Sequence, residues 1–317
     1  MLERLLKMPE LSEFVEFVVE KSNIRNSSLV KRDILIHRIL KDIFSSSLRD
    51  SYLFKGGSCL VKCYLGYYRF SVDLDFTWRD QSTWKNLGKK RLRKELLKET
   101  GKFGSVLELT AKELGVDFKN DVKNKNYVEF GAGSRMVTFK LWDGNELIKV
   151  QVNFVEKLFF EPKPVMARTL IDNAEITDEE IAYFKDFLKF YTPVKVLAYS
   201  KEEILCEKVR AILTRRTQKL RDFYDIFMLE KEGLRAEAFK DEIIKKTKEV
   251  MRYKKYRENL NRNVKYLSIE EILENPFERE MFIVKPPSEF YRFLNRFSEL
   301  LKDIGECILR LEEREGR

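Results

Sequence analysis

The sequence predicts an α+β fold, with a mixed sheet in the first half and an all-helical second half. Three observations predict it. Between Tyr52 and Phe160, short alternating or continuous apolar runs are bounded by glycine-containing turns, which is the pattern of strands. Beyond Ala198, apolar residues recur at helical spacing as far as the C-terminus. With only 13 Gly and 7 Pro in 317 residues, breakers are too scarce for many long loops. The expected division is an α+β domain over 1–197 and a helical domain over 198–317 that closes a cleft.

Two helices open the chain. LSEFVEFVV (11–19) and LVKRDILIHRILKDIF (29–44) carry apolar residues at helical spacing, with Ser27 or Ser28 as the N-cap of the second. The register then changes. YLFK (52–55) reads as a short buried strand, Gly56-Gly57-Ser58 as a tight turn, and SCLVKCYLGYY as the helix that it feeds. RFSVDLDFTW (69–78) alternates polar and apolar residues and reads as a second strand. A basic helix (85–98) and a further helical stretch (98–116) follow. RMVTFKLW, Asp143-Gly144-Asn145 and ELIKVQVNFVE then form a strand, a turn and a strand. In the helical half, Gly233 is a C-cap and Pro286-Pro287 sets off the last helix.

Composition excludes several classes of function. Charged residues make up 36% of the chain, but 44% hydrophobic residues and 24 Phe exclude a disordered protein. No apolar run approaches the ~20 residues needed to span a bilayer. The opening MLERLLKMPELSEF is amphipathic and acidic, unlike a signal or transit peptide, so a cytoplasmic location is expected. The four cysteines (59, 63, 206 and 307) match neither a zinc ribbon nor a disulfide framework. A single histidine, His37, is read as a helix-surface or boundary residue, so histidine-based triads and His-rich zinc sites lack their parts. The net charge is +9, and residues 201–262 hold 18 Lys/Arg against 12 Asp/Glu. That excess suits a polyanion, or simply a solvated face.

The residues that carry chemistry are Gly56-Gly57-Ser58 and, after fourteen intervening positions, Asp73-Leu74-Asp75. On a strand, side chains alternate faces, so Asp73 and Asp75 project to one side and can hold divalent cations between them. A Gly-Gly-Ser turn opening a helix offers amides and a hydroxyl to a phosphate. Nucleotidyl transfer needs both, because the ion must neutralise triphosphate oxygens and lower the pKa of the attacking hydroxyl.

KGGSCLVKCYLGYYRFSVDLDF (55–76) resembles the first motif of the AbiEii/MenT-type nucleotidyltransferase toxins, of the DNA polymerase β-like superfamily. SKEEILCEKVRAILTRRTQKLRDFYDIFML (200–229) resembles the later motifs, with Arg-Asp-x-x-Asp at 221–225, and IKVQVNF takes the place of a Lys-x-Asp/Glu strand. The resemblance spans roughly residues 30–230 and implies a polymerase β-like core. It implies that Asp73 and Asp75 bind Mg²⁺ and that Gly57 and Ser58 cradle the nucleotide phosphates. Lys149 and Lys208 are implied to contact the triphosphate, Lys208 being the stronger candidate. The resemblance implies that Asp222 and Asp225, one helical turn apart, can both point toward the site, with Asp225 positioning Lys208 or the nucleophile. Read without the resemblance, they are ordinary helix ion pairs.

One position departs from that pattern. The third carboxylate expected beside D-x-D falls at Gln151, in phase with Lys149 and Asn153. An amide can ligate a metal but cannot take a proton, so Asp222, Asp225 or Glu156 is the expected substitute. The leading reading is an Mg²⁺-dependent enzyme moving an NMP from an NTP to an acceptor hydroxyl. The resemblance makes it the toxin of a type IV-like toxin–antitoxin pair, with tRNA as acceptor and a cognate antitoxin as partner. The alternatives are a catalytically weak nucleotide- or RNA-binding protein of the same fold, and transfer to a protein or small-molecule hydroxyl.

Overall fold

The computed structural model describes residues 9–266, 273 and 279–315. The amphipathic opening MLERLLKM and most of 267–278, where a helical pattern was expected to continue, lie outside the described residues. The chain divides into two compact units, Met1–Glu156 with Lys163–Ala198, and Lys157–Pro162 with Tyr199–Arg317. Among the described residues, no helix is long and apolar enough to cross a membrane.

The first unit opens with α1 (Leu11–Ser22) and α2 (Ser27–Ser45). The N-cap of α2 is Asn26 rather than a serine, its side chain accepting from the Leu29 amide at 3.1 Å. Strand β1 (Tyr52–Lys55) runs straight into α3 (Gly56–Cys59), which continues as a π-helical stretch over Leu60–Leu65. Next come β2 (Asp73–Trp78), α4 (Lys89–Leu114), β3 (Val128–Gly131), β4 (Met136–Asp143) and β5 (Glu146–Asn153). Strand β6 (Lys163–Ala167), short helices α5 (Asp178–Tyr183) and α6 (Lys185–Phe190), and β7 (Val194–Ala198) complete the unit.

The seven strands form one mixed sheet in the order β3-β4-β5-β2-β1-β7-β6. β2 is parallel to β5 and β1 is parallel to β7, while the other neighbours are antiparallel. One face is apolar. Phe54, Phe76, Val150, Val152, Val137 and Phe139 are fully buried there. Phe103 of α4 stacks on Phe139 at 5.4 Å, and Phe44 of α2 meets Phe76 at 6.3 Å. Such buried side chains contribute about 1.5–3 kcal/mol each, and they hold α2 and α4 against the sheet. The alternation that buries these residues sends Asp73, Asp75, Lys149 and Gln151 to the other face.

In the second unit, the helices are α7 (Lys201–Thr214), α8 (Leu220–Lys231), α9 (Lys240–Met251), α10 (Lys254–Lys265) and α11 (Ser288–Glu315). α8 and α11 are joined by aromatic pairs, Phe223 with Phe297 and Phe227 with Phe293. Residues 157–162 lie with this unit, unlike the expected division. The buried Glu203 carboxylate accepts the amides of Phe159 and Phe160, both at 2.8 Å, and is ion-paired to Lys246.

Several expectations are corrected here. β6 and β7 escaped the sequence reading, because Pro164 interrupts one and the other has only five residues. β2 begins at Asp73, not at Arg69, and the two helices expected over 85–116 are one helix of 26 residues. His37 is not at the surface. It is fully buried, with Nε2 2.8 Å from the Thr192 carbonyl and Nδ1 without a hydrogen-bond partner among the described residues.

Candidate active site

Four strands of the first unit contribute to one polar row. Lys55 of β1 is in register with Asp75 of β2, Asp75 with Gln151 of β5, and Gln151 with Thr138 of β4. One step along, Asp73 is in register with Lys149. Residues directly opposite on neighbouring strands share a face, with Cβ atoms about 4.5–5.5 Å apart. Each aspartate therefore has a lysine across from it, Lys149 exposed and Lys55 buried. The Gln151 amide donates to Thr138 Oγ1 at 3.0 Å, which leaves its oxygen as the group able to ligate.

The glycine pair is required by close approach. Gly56 has φ +78°, and a Cβ there would run into the Asp75 carboxylate. At Gly57 a Cβ would lie 2.7 Å from Arg69 Nη2 and 3.0 Å from Ser71 Oγ. The Ser58 hydroxyl is buried; it donates to the Asp73 carbonyl and lies 2.9 Å from Ser71 Oγ. Its side chain thus ties the Gly-Gly turn to the start of β2, and the backbone amides of Gly57 and Ser58 are what the turn has to offer a phosphate. Behind the turn, Lys62 of the π-helical stretch is buried 2.7 Å from Asp33 Oδ1, and Tyr191 donates to the same carboxylate at 2.7 Å. This network anchors the turn to α2.

Glu156 is held on the same side of the sheet. Its Oε2 lies 2.6 Å from Lys55 Nζ and accepts from Thr77 Oγ1 at 3.0 Å and Asn153 Nδ2 at 3.3 Å. Its amide donates to Gln81 Oε1 at 2.8 Å, and Gln81 in turn donates to the carbonyls of Trp78 and Phe154 at the ends of β2 and β5. Among the described residues, no three His, Cys, Asp or Glu side chains come together as a metal-binding group.

The second unit holds a buried charge cluster. Lys208 of α7 has Nζ 3.1 Å from Asp222 Oδ1 and is ion-paired to Asp225, while Arg215 pairs with the other oxygen of Asp222. Burial pushes the Asp222 carboxyl upward, but Lys208, Arg215 and Arg221 outweigh it and hold the group well below the usual carboxylate range. A carboxylate so stabilised is a poor base. The C-terminal carbonyls of α7 are capped from α10, Asn263 Nδ2 donating to Ile212 and Leu213 at 3.0 Å and to Arg215 at 2.8 Å.

Of the residues singled out from sequence, Gly57, Ser58, Asp73, Asp75, Lys149 and Gln151 gather in the first unit. Lys208, Asp222 and Asp225 gather in the second. Lys55, Arg69 and Asn263 were missed. Lys55 carried a signal, a charge closing an otherwise apolar strand. Arg69, almost fully buried with Nη1 donating to the Phe70 carbonyl at 2.7 Å, read only as part of a strand.

A family model described as "Nucleotidyl transferase AbiEii toxin, Type IV TA system" matches residues 38–309. Among solved structures, MenT4, a nucleotidyltransferase toxin from Mycobacterium tuberculosis H37Rv, is 14% identical, with 93% of this chain and 98% of that chain covered and a TM-score of 0.41. No curated protein matches.

Proposed function

The chain belongs to the AbiEii nucleotidyltransferase toxin family, and from that premise we propose that it transfers an NMP from an NTP to an acceptor hydroxyl, with Mg²⁺ held by Asp73 and Asp75. The observation that carries this reading is the polar row, in which two carboxylates share one face of β2 beside the Gly56-Gly57 turn. Hard carboxylate oxygens with an amide oxygen beside them suit Mg²⁺, which keeps its remaining positions for water and substrate phosphate. When bound, the ion neutralises triphosphate charge and lowers the pKa of the acceptor hydroxyl.

The chain's own groups do the rest. The amides of Gly57 and Ser58 bind phosphate oxygens, and the Ser58 hydroxyl holds the Asp73 backbone in place. Lys149 meets the negative charge that grows on the leaving pyrophosphate. In the reaction, the acceptor oxygen bonds to the α-phosphorus as the bond from that phosphorus to the bridging oxygen of pyrophosphate breaks. The acceptor proton leaves to solvent, since Gln151 cannot take it and the Glu156 carboxylate is held by Lys55. The acceptor is tRNA, the partner is a cognate antitoxin, and the place of action is the cytoplasm.

The test is incubation with total tRNA, Mg²⁺ and each of the four labelled NTPs in turn. A nucleotide attached covalently to tRNA is the expected result, and no transfer with any NTP overturns the proposal. A second reading rests on Gln151, a nucleotide- or RNA-binding protein with little turnover. It predicts NTP retained by the protein without transfer, whereas label on a protein or small molecule would move the acceptor and leave the chemistry standing.

A further inference from the structure

We propose that the exposed lysine ladder of α4, Lys90, Lys94 and Lys98 with Arg91 beside them, is the surface on which the phosphate backbone of RNA docks. The choice of RNA as the polyanion rests on the nucleotidyltransferase reading above; the charge of the surface does not.

Over residues 89–98, α4 carries six Lys/Arg and one acid, Glu95. All six cations are exposed, and among the described residues none has an ion pair or a side-chain hydrogen bond. Elsewhere in the first unit, Lys31, Lys102, Lys140 and Lys189 are paired with Asp143, Glu99, Glu129 and Asp186. A Lys/Glu-rich helix that merely faces solvent mixes its signs, and this stretch does not. Lys90, Lys94 and Lys98 recur every four residues on the side of α4 turned away from the buried Leu96, Phe103 and Leu107. Neighbours four apart lie about 5–6 Å from each other, and like charges at that spacing weaken the helix until an anion meets them.

The kind of anion follows from what the stretch lacks. Leu97 is the one large apolar side chain exposed over 89–98, whereas a protein interface is built on apolar and aromatic anchors and is depleted in lysine. A membrane-surface helix needs an apolar face to insert, and that of α4 is spent on the sheet, where Phe103 stacks on Phe139. A chain of phosphates asks only for cations that displace its counterions. The ladder also starts at a useful place. Trp84, shortly before α4, has its ring 5.0 Å from that of Trp78, which ends β2 about 10 Å past Asp75. α4 covers the apolar face, so a strand held on the ladder passes round this end of the sheet to reach the aspartates.

The test is binding of fluorescein-labelled tRNA to the full chain, followed by fluorescence anisotropy against NaCl concentration without NTP. Lys90→Gln/Lys94→Gln/Lys98→Gln should raise Kd about tenfold or more and flatten the slope of log K against log salt by about two to three, since each phosphate contact contributes roughly 0.7–0.9. The three side chains are exposed and unpaired, so the melting temperature should not fall. Lys163→Gln/Lys185→Gln/Lys195→Gln removes the same charge from exposed positions on β6, α6 and β7, and should leave Kd and slope near the wild type. Unchanged binding by the ladder variant, an equal loss in the control, or no tRNA binding by the wild type overturns the proposal. So does ladder-dependent capture of polyglutamate in place of tRNA, which would make the surface a site for an acidic protein. In transfer assays the ladder variant should raise the KM for tRNA and leave kcat and the KM for NTP unchanged; an unchanged KM for tRNA also overturns the proposal. If the wild type binds tRNA through the ladder but transfers nucleotide to nothing, the nucleotidyltransferase reading fails and the RNA surface stands.

Discussion

Asp75 and Gln151 face each other in register on the parallel strands β2 and β5, and Gln151 gives its amide nitrogen to Thr138 Oγ1 at 3.0 Å. A carboxylate in that position could still accept from the Thr138 hydroxyl, so the site is built to tolerate one.

Gln151→Glu is accordingly expected to fold and to raise the single-turnover rate of transfer at neutral pH. A positioned base contributes about 10²–10⁴-fold, and a gain of tenfold or more is expected here. The measurement is rapid-quench transfer against pH. A flat or lower rate would mean that deprotonation of the acceptor does not limit the reaction.

Asp75→Ala should take transfer below detection while leaving the melting temperature within a few degrees of the wild type. Lys55 retains Glu156 as its partner in the variant, so no buried charge is stranded. Near-normal transfer by a folded Asp75→Ala chain would remove the aspartate pair from the mechanism.

Gly56→Ala tests the close approach of the turn. A residue with a Cβ at φ +78° is strained, and this one would also press on the Asp75 carboxylate. Urea denaturation should show a loss of about 1–3 kcal/mol, and transfer should fall with it. Gly66, also at positive φ but with open space around its Cβ position, serves as the control for strain alone.

Asp225→Ala should cost about 3–5 kcal/mol in urea denaturation, because it removes one of two carboxylates from the buried Lys208 ammonium. Asp225→Asn should recover part of that loss through its amide oxygen. If the cluster is only a surface-type ion pair, both variants will unfold within about 1 kcal/mol of the wild type.

His37 sets the pH dependence of stability between pH 5 and 7. Burial, and then the nearby Lys62 ammonium, lower its folded pKa well below 6.5, so the unfolded chain binds a proton that the folded chain refuses. Stability from this group is complete above the unfolded pKa and is lost as the pH falls below it, by up to about 1.4 kcal/mol per pH unit. It is the only histidine in the chain. Urea denaturation at pH 5, 6 and 7 should show this slope, and His37→Gln should remove it.

How much of this was legible in the sequence depended on the range of the interaction. The hairpin at Asp143-Gly144-Asn145, the placing of Asp73 and Asp75 on one face and the phase of Gln151 were all readable, because turn residues and period-two alternation are local properties. The sequence likewise determined that Lys208 has acids one helical turn apart to meet, Asp222 and Asp225. Other features were decided only by tertiary structure. The pairing that sets Lys55 opposite Asp75, the parallel contact of β2 with β5, the capture of the Ser58 hydroxyl by the Asp73 carbonyl and the burial of His37 against Thr192 all join residues distant in the chain or turned by packing. No local periodicity encodes such partners, because the same alternating strand is compatible with any neighbour until burial of its apolar face selects one register.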